Sequence, residues 1–582
     1  MIRRLSAAVS ASLLLAGCAA PLASGPSGTG PVEVGIIAIN DFHGALEPPK
    51  LAVPARTADG DVVGVPAGGA AWLASAIDSM REPYAHSVTV SAGDLISASQ
   101  LSSSLFLDEP TVEIMNRLGL DFNAVGNHEF DRGQAELLRM QGGGCEKHTS
   151  REPCQLEPFA GARFRFLSAS TTKTDGTTLF PATGLRSFGS GRRKVTVGFI
   201  GLTLKGTPDL VSPSGIQGLS FGDEAEAINR AVPLLKAGGA DAVVVLIHQG
   251  GRTSGEPDPN GCNALSGDIV PILDRLDARV DVVVSGHTHW SYVCDYGQIN
   301  PAKPFLLTSG ALYGQIVTDI TLQIDPATDR VVAKKARNVI VQSTPYTSGR
   351  GPVENSDLFP QFTPRQDIAD YVSRYVGAAR DITLRPAGKL AGPVTKNAEG
   401  ANVGGPAGRL IADAQLAATA DAGAQIAFMN PFGIRASLVP ATDGTVNYAD
   451  IYAMQPFANV LATQTMSGAA LKEMLEQGFD EAGPEQVLTP SVGFFFAYDR
   501  SRPPGNRIVE MRLNGQPIDP ARDYRVTTSQ FLADGGDTFY AFRPQREKVA
   551  GPLDIEALEA WLKGEAPRAV PMDERHADRT AQ

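Results

Sequence analysis

The chain has 582 residues, and its 51 Lys and Arg against 63 Asp and Glu give a formal net charge of −12. At about 150 residues per domain, this length predicts two to four domains, and a composition that is 43% hydrophobic and 20% charged excludes a disordered, fibrous or coiled-coil chain. A net acidic chain has no general attraction to nucleic acid, so we expect no nucleic-acid partner, and an anionic substrate would need local positive charge.

Residues 1–18 form a predicted signal peptide. A basic start precedes a short apolar run over 5–17, which is too short to span a bilayer. The run ends in Leu15-Ala16-Gly17-Cys18, which resembles the bacterial lipobox, where the cysteine becomes the lipidated first residue. We therefore predict an exported cell-envelope lipoprotein on the periplasmic or cell-surface face, held to the membrane only through Cys18, with 19–31 as a tether. A plain signal peptide with an incidental Cys18 is the alternative.

Four further cysteines are available for disulfides. An even number in an exported protein predicts two bridges. Sequence proximity favours Cys145 with Cys154 and Cys262 with Cys294 over the other two connectivities. Free buried thiols are the alternative.

Residues 32–345 alternate apolar runs with amphipathic stretches. Runs rich in β-branched residues, typical of buried strands, cover 34–40, 86–92, 122–126, 194–201, 242–247 and 280–285. Helical patterns between several of them cover 72–80, 111–118, 134–140 and 223–236. This alternation predicts an α/β domain with much parallel sheet.

A second domain follows a turn-rich break near residue 347. Thr363-Pro364 has the residue types of an N-cap and first helical position, so residues 346–384 are a predicted linker that contains a helix. The pattern restarts with a predicted helix over 407–419, a strand over 425–429 and a hairpin turned by Asn514-Gly515. We predict a smaller α/β domain over 385–570 and a frayed, charged tail over 571–582.

Polar residues that can bind metals follow five of the predicted strands. They are Asp41 and His43, Asp94, Asn127 and His128, His248, and His287 and His289. Each motif alone is as typical of a turn, a cap or a core histidine, but five in succession favour a metal site at the carboxyl ends of the strands. A donor set of Asp, Asn and His without thiolate suits Mn, Zn, Fe or Co. Enough donors exist for two divalent ions, which can promote in-line displacement at phosphorus.

These motifs resemble those of the calcineurin-like metallophosphoesterase superfamily. More closely, residues 31–570 resemble the bacterial two-domain 5'-nucleotidases, which include UDP-sugar hydrolases and cyclic-nucleotide phosphodiesterases; the tract 126–131 is the most specific match. The resemblance implies an α/β chain, α+β overall. Its expected parts are a metallophosphoesterase-type β-sandwich flanked by helices, a linker helix and a smaller α/β C-terminal nucleotide-recognition domain.

The resemblance also implies a role for each metal-binding residue. Asp41, His43 and His289 would hold one metal ion, Asn127, His248 and His287 would hold the second, and Asp94 would bridge the two.

His128 and Asp131 would form a catalytic dyad. A cationic imidazole can stabilise charge on the phosphoryl group, and a carboxylate three residues away can orient the ring. A charge at a helix N-terminus is the alternative reading of Asp131.

Six residues of the C-terminal domain would bind the nucleotide. The resemblance implies Arg409 and Arg435 for the phosphate, Phe457 and Phe531 for the faces of the base, Asn459 for its edge, and Asp537 for the ribose hydroxyls. Without the resemblance, phenylalanines in such runs are more typical of a core.

Together these features predict a two-metal hydrolase that converts nucleoside 5'-phosphates to nucleoside and phosphate, a step of nucleotide catabolism. A 2',3'-cyclic-nucleotide phosphodiesterase, a UDP-sugar hydrolase and a sulfur-ester hydrolase are alternatives of the same family. A surface nucleotide-binding lipoprotein with little turnover and an envelope adhesin are alternatives of other classes. We expect a monomer whose domains rotate about the helix near 362–382.

Overall fold

The structure, a computed structural model, describes residues 30–57, 59–149, 151–348, 351–396, 400, 402–480, 484–564 and 566–580. The predicted signal peptide, Cys18 and most of the predicted tether lie outside the described residues. Within those ranges, no helix combines the length and apolar character needed to cross a bilayer.

Two six-stranded sheets form the N-terminal domain. In spatial order, the first consists of Arg330–Ile340, Ile316–Asp325, Val32–Ile39, Ser87–Ser91, Phe122–Ala124 and Arg165–Leu167. The second consists of Ser291–Asp295, Leu306–Gly310, Val282–Ser285, Ala242–Ile247, Val195–Leu202 and Thr183–Phe188. Within each sheet, the strands that carry the predicted ligands run parallel to one another, as in the pairing of Val32–Ile39 with Ser87–Ser91 and of Ala242–Ile247 with Val282–Ser285. Their carboxyl ends therefore meet at one edge of each sheet.

The two sheets pack face to face, because apolar residues of both share one buried cluster, such as Val34 and Val90 with Val197 and Val244. Helices Ala70–Arg81, Glu109–Leu118 and Gly133–Gly142 cover the outer face of the first sheet, and Glu224–Ala237 covers that of the second. Shorter elements are the helices Leu101–Ser104, Thr207–Leu210 and Ile269–Leu273 and the strand pairs Ala52–Arg56 with Val62–Pro66, Thr171–Lys173 with Leu219–Phe221, and Tyr346–Ser348 with Gly351–Val353. The predicted β-sandwich flanked by helices is confirmed.

The linker helix, Gln366–Thr383, packs on the N-terminal domain. Its buried stripe of Ile368, Tyr371 and Tyr375 joins the core under the first sheet. The predicted start at Thr363-Pro364 is wrong, since the helix begins three residues after Thr363. The Thr363 carbonyl instead accepts a hydrogen bond from Ser75, a tertiary contact that the local pattern does not report.

The C-terminal domain contains a five-stranded and a four-stranded sheet. The first consists of Thr489–Pro490, Ile426–Met429, Asp523–Ser529, Val460–Ser467 and Arg546–Leu553, and the second of Gln516–Pro517, Ile508–Leu513, Phe494–Tyr498 and His576–Asp578. A strand pair, Pro386–Lys389 with Thr445–Asn447, and the helices Gly405–Ala418, Tyr448–Met454, Gly468–Gln477, Gln530–Ala533 and Asp554–Leu562 complete it. The predicted hairpin at Asn514-Gly515 is confirmed, with both residues at positive φ, as a tight two-residue turn requires.

Both favoured disulfides are present. Cys145 is bonded to Cys154, and Cys262 is bonded to Cys294. The second bridge joins the loop after His248 to the strand after His289, and therefore ties together two segments that carry predicted metal ligands.

The expectation of a frayed tail is wrong. The strand His576–Asp578 pairs in parallel with Phe494–Tyr498, and the preceding residue, Arg575, is buried. Its guanidinium makes two hydrogen bonds to the Asp413 carboxylate, at 2.6 and 2.9 Å. Some charged residues of the tail are thus partners in internal ion pairs. Composition alone does not distinguish such residues from charged residues exposed to solvent.

Replacing Arg575 with Met is expected to lower the free energy of unfolding of the C-terminal domain by about 3–5 kcal/mol, because it leaves the buried Asp413 carboxylate without its partner. Chemical denaturation followed by circular dichroism measures the change. The matched control is the double variant Arg575→Met with Asp413→Leu, which removes both charges and should recover most of the loss. A single-variant loss below about 1 kcal/mol would contradict the role given to this pair.

Candidate active site

All seven predicted metal ligands meet where the strands of the two sheets end. Two groups of donors each have their ligand atoms within 4.8 Å of one another; they are Asp41, His43 and His289, and Asp94, His248 and His287. The side chain of Asn127 joins the second group, with its Oδ1 3.1 Å from His248 Nε2 and 3.0 Å from His287 Nδ1. The structure therefore brings together the residues that the sequence predicts for each ion.

Asp94 faces both groups. Its Oδ2 lies 2.9 Å from His248 Nε2 and 3.8 Å from His43 Nε2. Its Oδ1 accepts a hydrogen bond from the backbone N–H of His128 at 2.9 Å. This position between the two groups is the one that a bridging carboxylate requires.

Backbone carbonyls set the orientation of two imidazoles. His43 Nδ1 lies 2.9 Å from the Ser97 carbonyl oxygen, and His248 Nδ1 lies 2.8 Å from that of Ala92. A carbonyl oxygen can only accept, so Nδ1 carries the proton in each ring. In the neutral ring, Nε2 then presents a lone pair to the centre of the site, as a metal ligand must.

The ligand-bearing turns adopt a conformation that most side chains avoid. Asp41, His43, Asp94, His287 and His289 all have φ between 46° and 71°. Such strain concentrates at functional sites, where the surrounding fold holds it in place. The space around the Asp94 carboxylate is also restricted, since a Cβ added to Gly126 would clash with Asp94 Oδ1.

The electrostatics of the site favour a bound cation. Burial lowers the pKa of both His43 and His287 to about 3, so both rings are neutral near pH 7. Burial raises the pKa of Asp41 to about 7, with Asp94 adding to the effect and His248 opposing it. For Asp94, burial acts in the same direction, but the surrounding histidines, His248 foremost, hold its pKa well below the usual range. Burial lowers the pKa of His248, but the surrounding carboxylates, Asp94 foremost, outweigh it and raise that pKa to about 10, so the pocket stabilises positive charge. The neutral imidazoles of His43 and His287 and the carboxylates, aimed at common centres, fit divalent metal ions.

Glu129 was not predicted as a site residue, but it supports the turns that carry Asp94 and Asn127. Its buried carboxylate accepts hydrogen bonds from the backbone N–H groups of Asp94, Leu95 and Gly126, at 2.9, 2.8 and 2.6 Å. It therefore fixes the loop of Asp94 against the loop of Asn127. Its place within the tract 126–131 was the available signal in the sequence.

The predicted dyad is assembled. His128 Nδ1 lies 2.7 Å from Asp131 Oδ2, which leaves Nε2 for a substrate. Burial lowers the pKa of His128, but Asp131 and Asp94 outweigh it, and the net pKa is raised above the usual value. The surroundings therefore favour the cationic ring that stabilisation of phosphoryl charge needs.

A cavity of about 440 Å³ opens beside the dyad and is lined by both domains; this volume is typical of small-molecule sites. We call it the cleft. Five of the six predicted substrate-binding residues line it, namely Arg435, Phe457, Asn459, Phe531 and Asp537. The ring of Phe457 stacks on that of His128 with 5.8 Å between centroids and an interplanar angle of 9°, so the C-terminal domain reaches the dyad directly.

Arg409 is not among the cleft-lining residues. It is buried within Gly405–Ala418, and its Nη1 donates to the Pro571 carbonyl at 3.3 Å. Lys396, which was not predicted, lines the cleft with Arg435. Burial and the Arg435 charge lower the pKa of Lys396 to about 8. No motif around Lys396 could have identified it, since its role depends on proximity to Arg435 in space.

Contacts between the domains flank the cleft. The Ser104 and Tyr452 hydroxyls hydrogen-bond to each other, and the Tyr540 hydroxyl donates to Asp209 Oδ1 at 2.8 Å. Leu101 also packs into a core cluster of the C-terminal domain. The two halves of the cleft are thus held in contact through a few side chains.

Comparison with known proteins identifies two domains. Residues 35–291 match the family model of the calcineurin-like phosphoesterases, and residues 386–544 match that of the 5'-nucleotidase C-terminal domain. The protein named Endonuclease YhcR from Bacillus subtilis is 29% identical over 91% of this chain, which spans only 40% of that protein's length. Protein UshA from Escherichia coli is 26% identical over 86% of this chain and 88% of its own.

A solved structure shares the fold. The 5'-nucleotidase precursor from Thermus thermophilus superimposes with a TM-score of 0.72 and 23% identity, over 94% of this chain and 99% of that one. The two-domain arrangement described above is therefore the arrangement of a known fold.

Proposed function

Because the chain belongs to the family of 5'-nucleotidase-type metallophosphoesterases, which join a calcineurin-like phosphoesterase domain to a 5'-nucleotidase C-terminal domain, we propose that it uses two metal ions to hydrolyse nucleoside 5'-phosphates. The products would be nucleoside and phosphate. One observation carries this proposal. His289 and His287, one from each donor group, line a cleft together with the His128 dyad, and the C-terminal domain adds Arg435, Phe457 and Asp537 to its lining. Phosphate chemistry and nucleoside recognition can therefore act on one bound molecule.

Two divalent ions, when bound, supply the positive charge that acidifies the attacking water and neutralises the phosphate oxygens. The chain's own groups act around them. His128, held by Asp131, donates through Nε2 to a phosphate oxygen whose charge grows in the transition state. Arg435 and Lys396 attract the anionic substrate to a chain of net charge −12. Phe457 and Phe531 offer aromatic faces for the base.

Phosphate release from 5'-AMP by the mature chain is expected to stop on metal chelation and to return with manganese. UDP-glucose, 2',3'-cyclic AMP with an added phosphatase, and a short RNA are run in parallel. The RNA is included because one similar protein is named an endonuclease. If protein with two bound metal ions released no phosphate from 5'-AMP but turned over another substrate in the panel, the proposed activity would be wrong and that substrate would identify the activity.

We also propose that the protein is a cell-envelope lipoprotein held through Cys18. The apolar run that ends in Leu15-Ala16-Gly17-Cys18 supports this, and the name "precursor" of the Thermus protein fits an exported chain. The variant Cys18→Ser is expected to move the protein from the membrane fraction to the soluble fraction without changing its turnover of 5'-AMP. The control is Cys154→Ser, which should leave the protein in the membrane fraction. A Cys18→Ser variant that stays with membranes would refute the lipid anchor.

A further inference from the structure

The cleft wall contains a buried hydrogen-bond acceptor without a partner. Gln486 lines the cleft and is 1% exposed. Its Nε2 donates to the backbone carbonyl of Asp537 at 3.1 Å. Since that carbonyl can only accept, the amide nitrogen must face it, which fixes the orientation of the amide. The other amide atom, Oε1, is buried and has no hydrogen-bond partner among the described residues.

A second acceptor lies in the cleft wall, on the residue whose backbone carbonyl Gln486 contacts. The Asp537 carboxylate also lines the cleft, and its Oδ2 accepts from Asn430 Nδ2 at 2.7 Å. Burial raises the pKa of Asp537 to about 6, so the group is mainly ionised at neutral pH. Gln486 and Asp537 therefore present two neighbouring acceptors in the wall that also contains Phe531. Two neighbouring acceptors match a ligand with two neighbouring hydroxyl donors.

Support of Asp537 alone does not explain Gln486. Asp537 and Thr538 have φ of 53° and 68°, and the Asp537 carbonyl accepts from Gln486 Nε2 and from the Thr538 hydroxyl. Support of the Asp537 backbone requires only the Nε2 donor of Gln486 and leaves its Oε1 acceptor unexplained. A buried acceptor left unpaired destabilises the fold, and such groups in native structures call for a compensating partner.

We propose that Gln486 Oε1 accepts a hydrogen bond from one hydroxyl of the substrate's ribose while Asp537 accepts from the other. This inference rests on the proposed nucleotide substrate. It makes Gln486 a specificity-determining residue that favours ribonucleotides over deoxyribonucleotides. A substrate without the matching hydroxyl offers Oε1 no hydrogen bond and gains nothing from this residue.

The test compares wild type and Gln486→Met on 5'-AMP, 2'-deoxy-AMP and 3'-deoxy-AMP. Methionine has nearly the same shape but lacks the amide. In wild type, kcat/KM is expected to be about tenfold or more higher for 5'-AMP than for the analogue that lacks the Gln486-bound hydroxyl. In the variant, kcat/KM for 5'-AMP should fall about tenfold and that for this analogue should change less than twofold. Hydrolysis of p-nitrophenyl phosphate, which has no ribose, reports an intact metal centre.

Three results would overturn the inference. Equal losses on all three nucleotides would show that Gln486 has a general structural role and accepts no hydrogen bond from a ribose hydroxyl. If the wild-type protein turned over all three nucleotides equally, then neither ribose hydroxyl would contribute to substrate recognition, and no variant would be needed to show it. Hydrolysis of p-nitrophenyl phosphate without hydrolysis of any nucleotide would refute the proposed function itself, and that failure is distinct from the other two. If Gln486→Met does not fold, Gln486→Leu repeats the comparison and the wild-type series still decides.

Discussion

The variant His128→Ala is expected to lower kcat for 5'-AMP hydrolysis by about three orders of magnitude, with a much smaller change in KM. The side chain is not a predicted metal ligand, and its removal leaves in place the backbone N–H that donates to Asp94. What is lost is the cationic donor that we propose for the reacting phosphoryl group, and such donors contribute about 10²–10³-fold or more to kcat. Steady-state phosphate release at saturating manganese measures the change.

Two comparisons define the role of the dyad. Asp131→Asn keeps the size of the side chain but removes the charge 2.7 Å from His128 Nδ1, so we expect a loss of smaller size than that of His128→Ala. His148→Ala removes a histidine outside the cleft and should leave kcat unchanged. A His128→Ala variant that retained more than a tenth of wild-type kcat with full metal content would refute the dyad.

The variant Asp94→Asn is expected to reduce bound metal from two ions per chain to one or none and to lower kcat/KM by about 10⁴-fold or more. Asp94 faces both donor groups, at 2.9 Å from His248 Nε2 and 3.8 Å from His43 Nε2. Asparagine preserves the shape but lacks the negative charge that two adjacent cations require. Elemental analysis of dialysed protein gives the metal content, and phosphate release from 5'-AMP gives the activity.

The matched control is Asp131→Asn, the same substitution at a carboxylate that is not a metal ligand. It should keep two ions per chain, because Asp131 pairs with His128. Two tightly held ions in Asp94→Asn would show that this residue does not bridge the metals, whatever the effect on turnover.

The strand-end motifs made the grouping of the candidate metal ligands predictable. Parallel strands of one sheet end at the same edge, which groups Asp41 with Asp94 and His248 with His287. Chain order and residue type were sufficient for each pair, and the packing of the two sheets brings the pairs together. The conformation that aims them was not predictable, because Asp41 and Asp94 have positive φ in loops whose backbones hydrogen-bond to each other although they lie far apart in sequence, as from the Asp41 N–H to the Gly93 carbonyl. The residue types at those positions do not require positive φ.

The residues that the C-terminal domain contributes to the cleft were less predictable, because they come together only in the tertiary structure. Arg409 fits a local motif, yet it is buried and donates to Pro571, whereas Lys396 lies in the cleft without any motif. Gln486 shows the same limit, because its Oε1 has no partner among the residues that the structure describes only when the fold directs its Nε2 to the Asp537 carbonyl. A local sequence pattern predicts helices and strands. The hydrogen-bond partners of buried polar groups, in contrast, are determined by the assembled fold.

The strand His576–Asp578 determines when the C-terminal domain can be completed. Arg575, just before it, meets Asp413 across 162 residues of chain, and the strand itself supplies the edge of a sheet otherwise built earlier in the sequence. A chain emerging N-terminus first can close both sheets of the N-terminal domain once residue 340 is available. The C-terminal domain must wait for the last residues to arrive. During synthesis, every strand of the two N-terminal sheets is therefore available before the C-terminal domain can be completed.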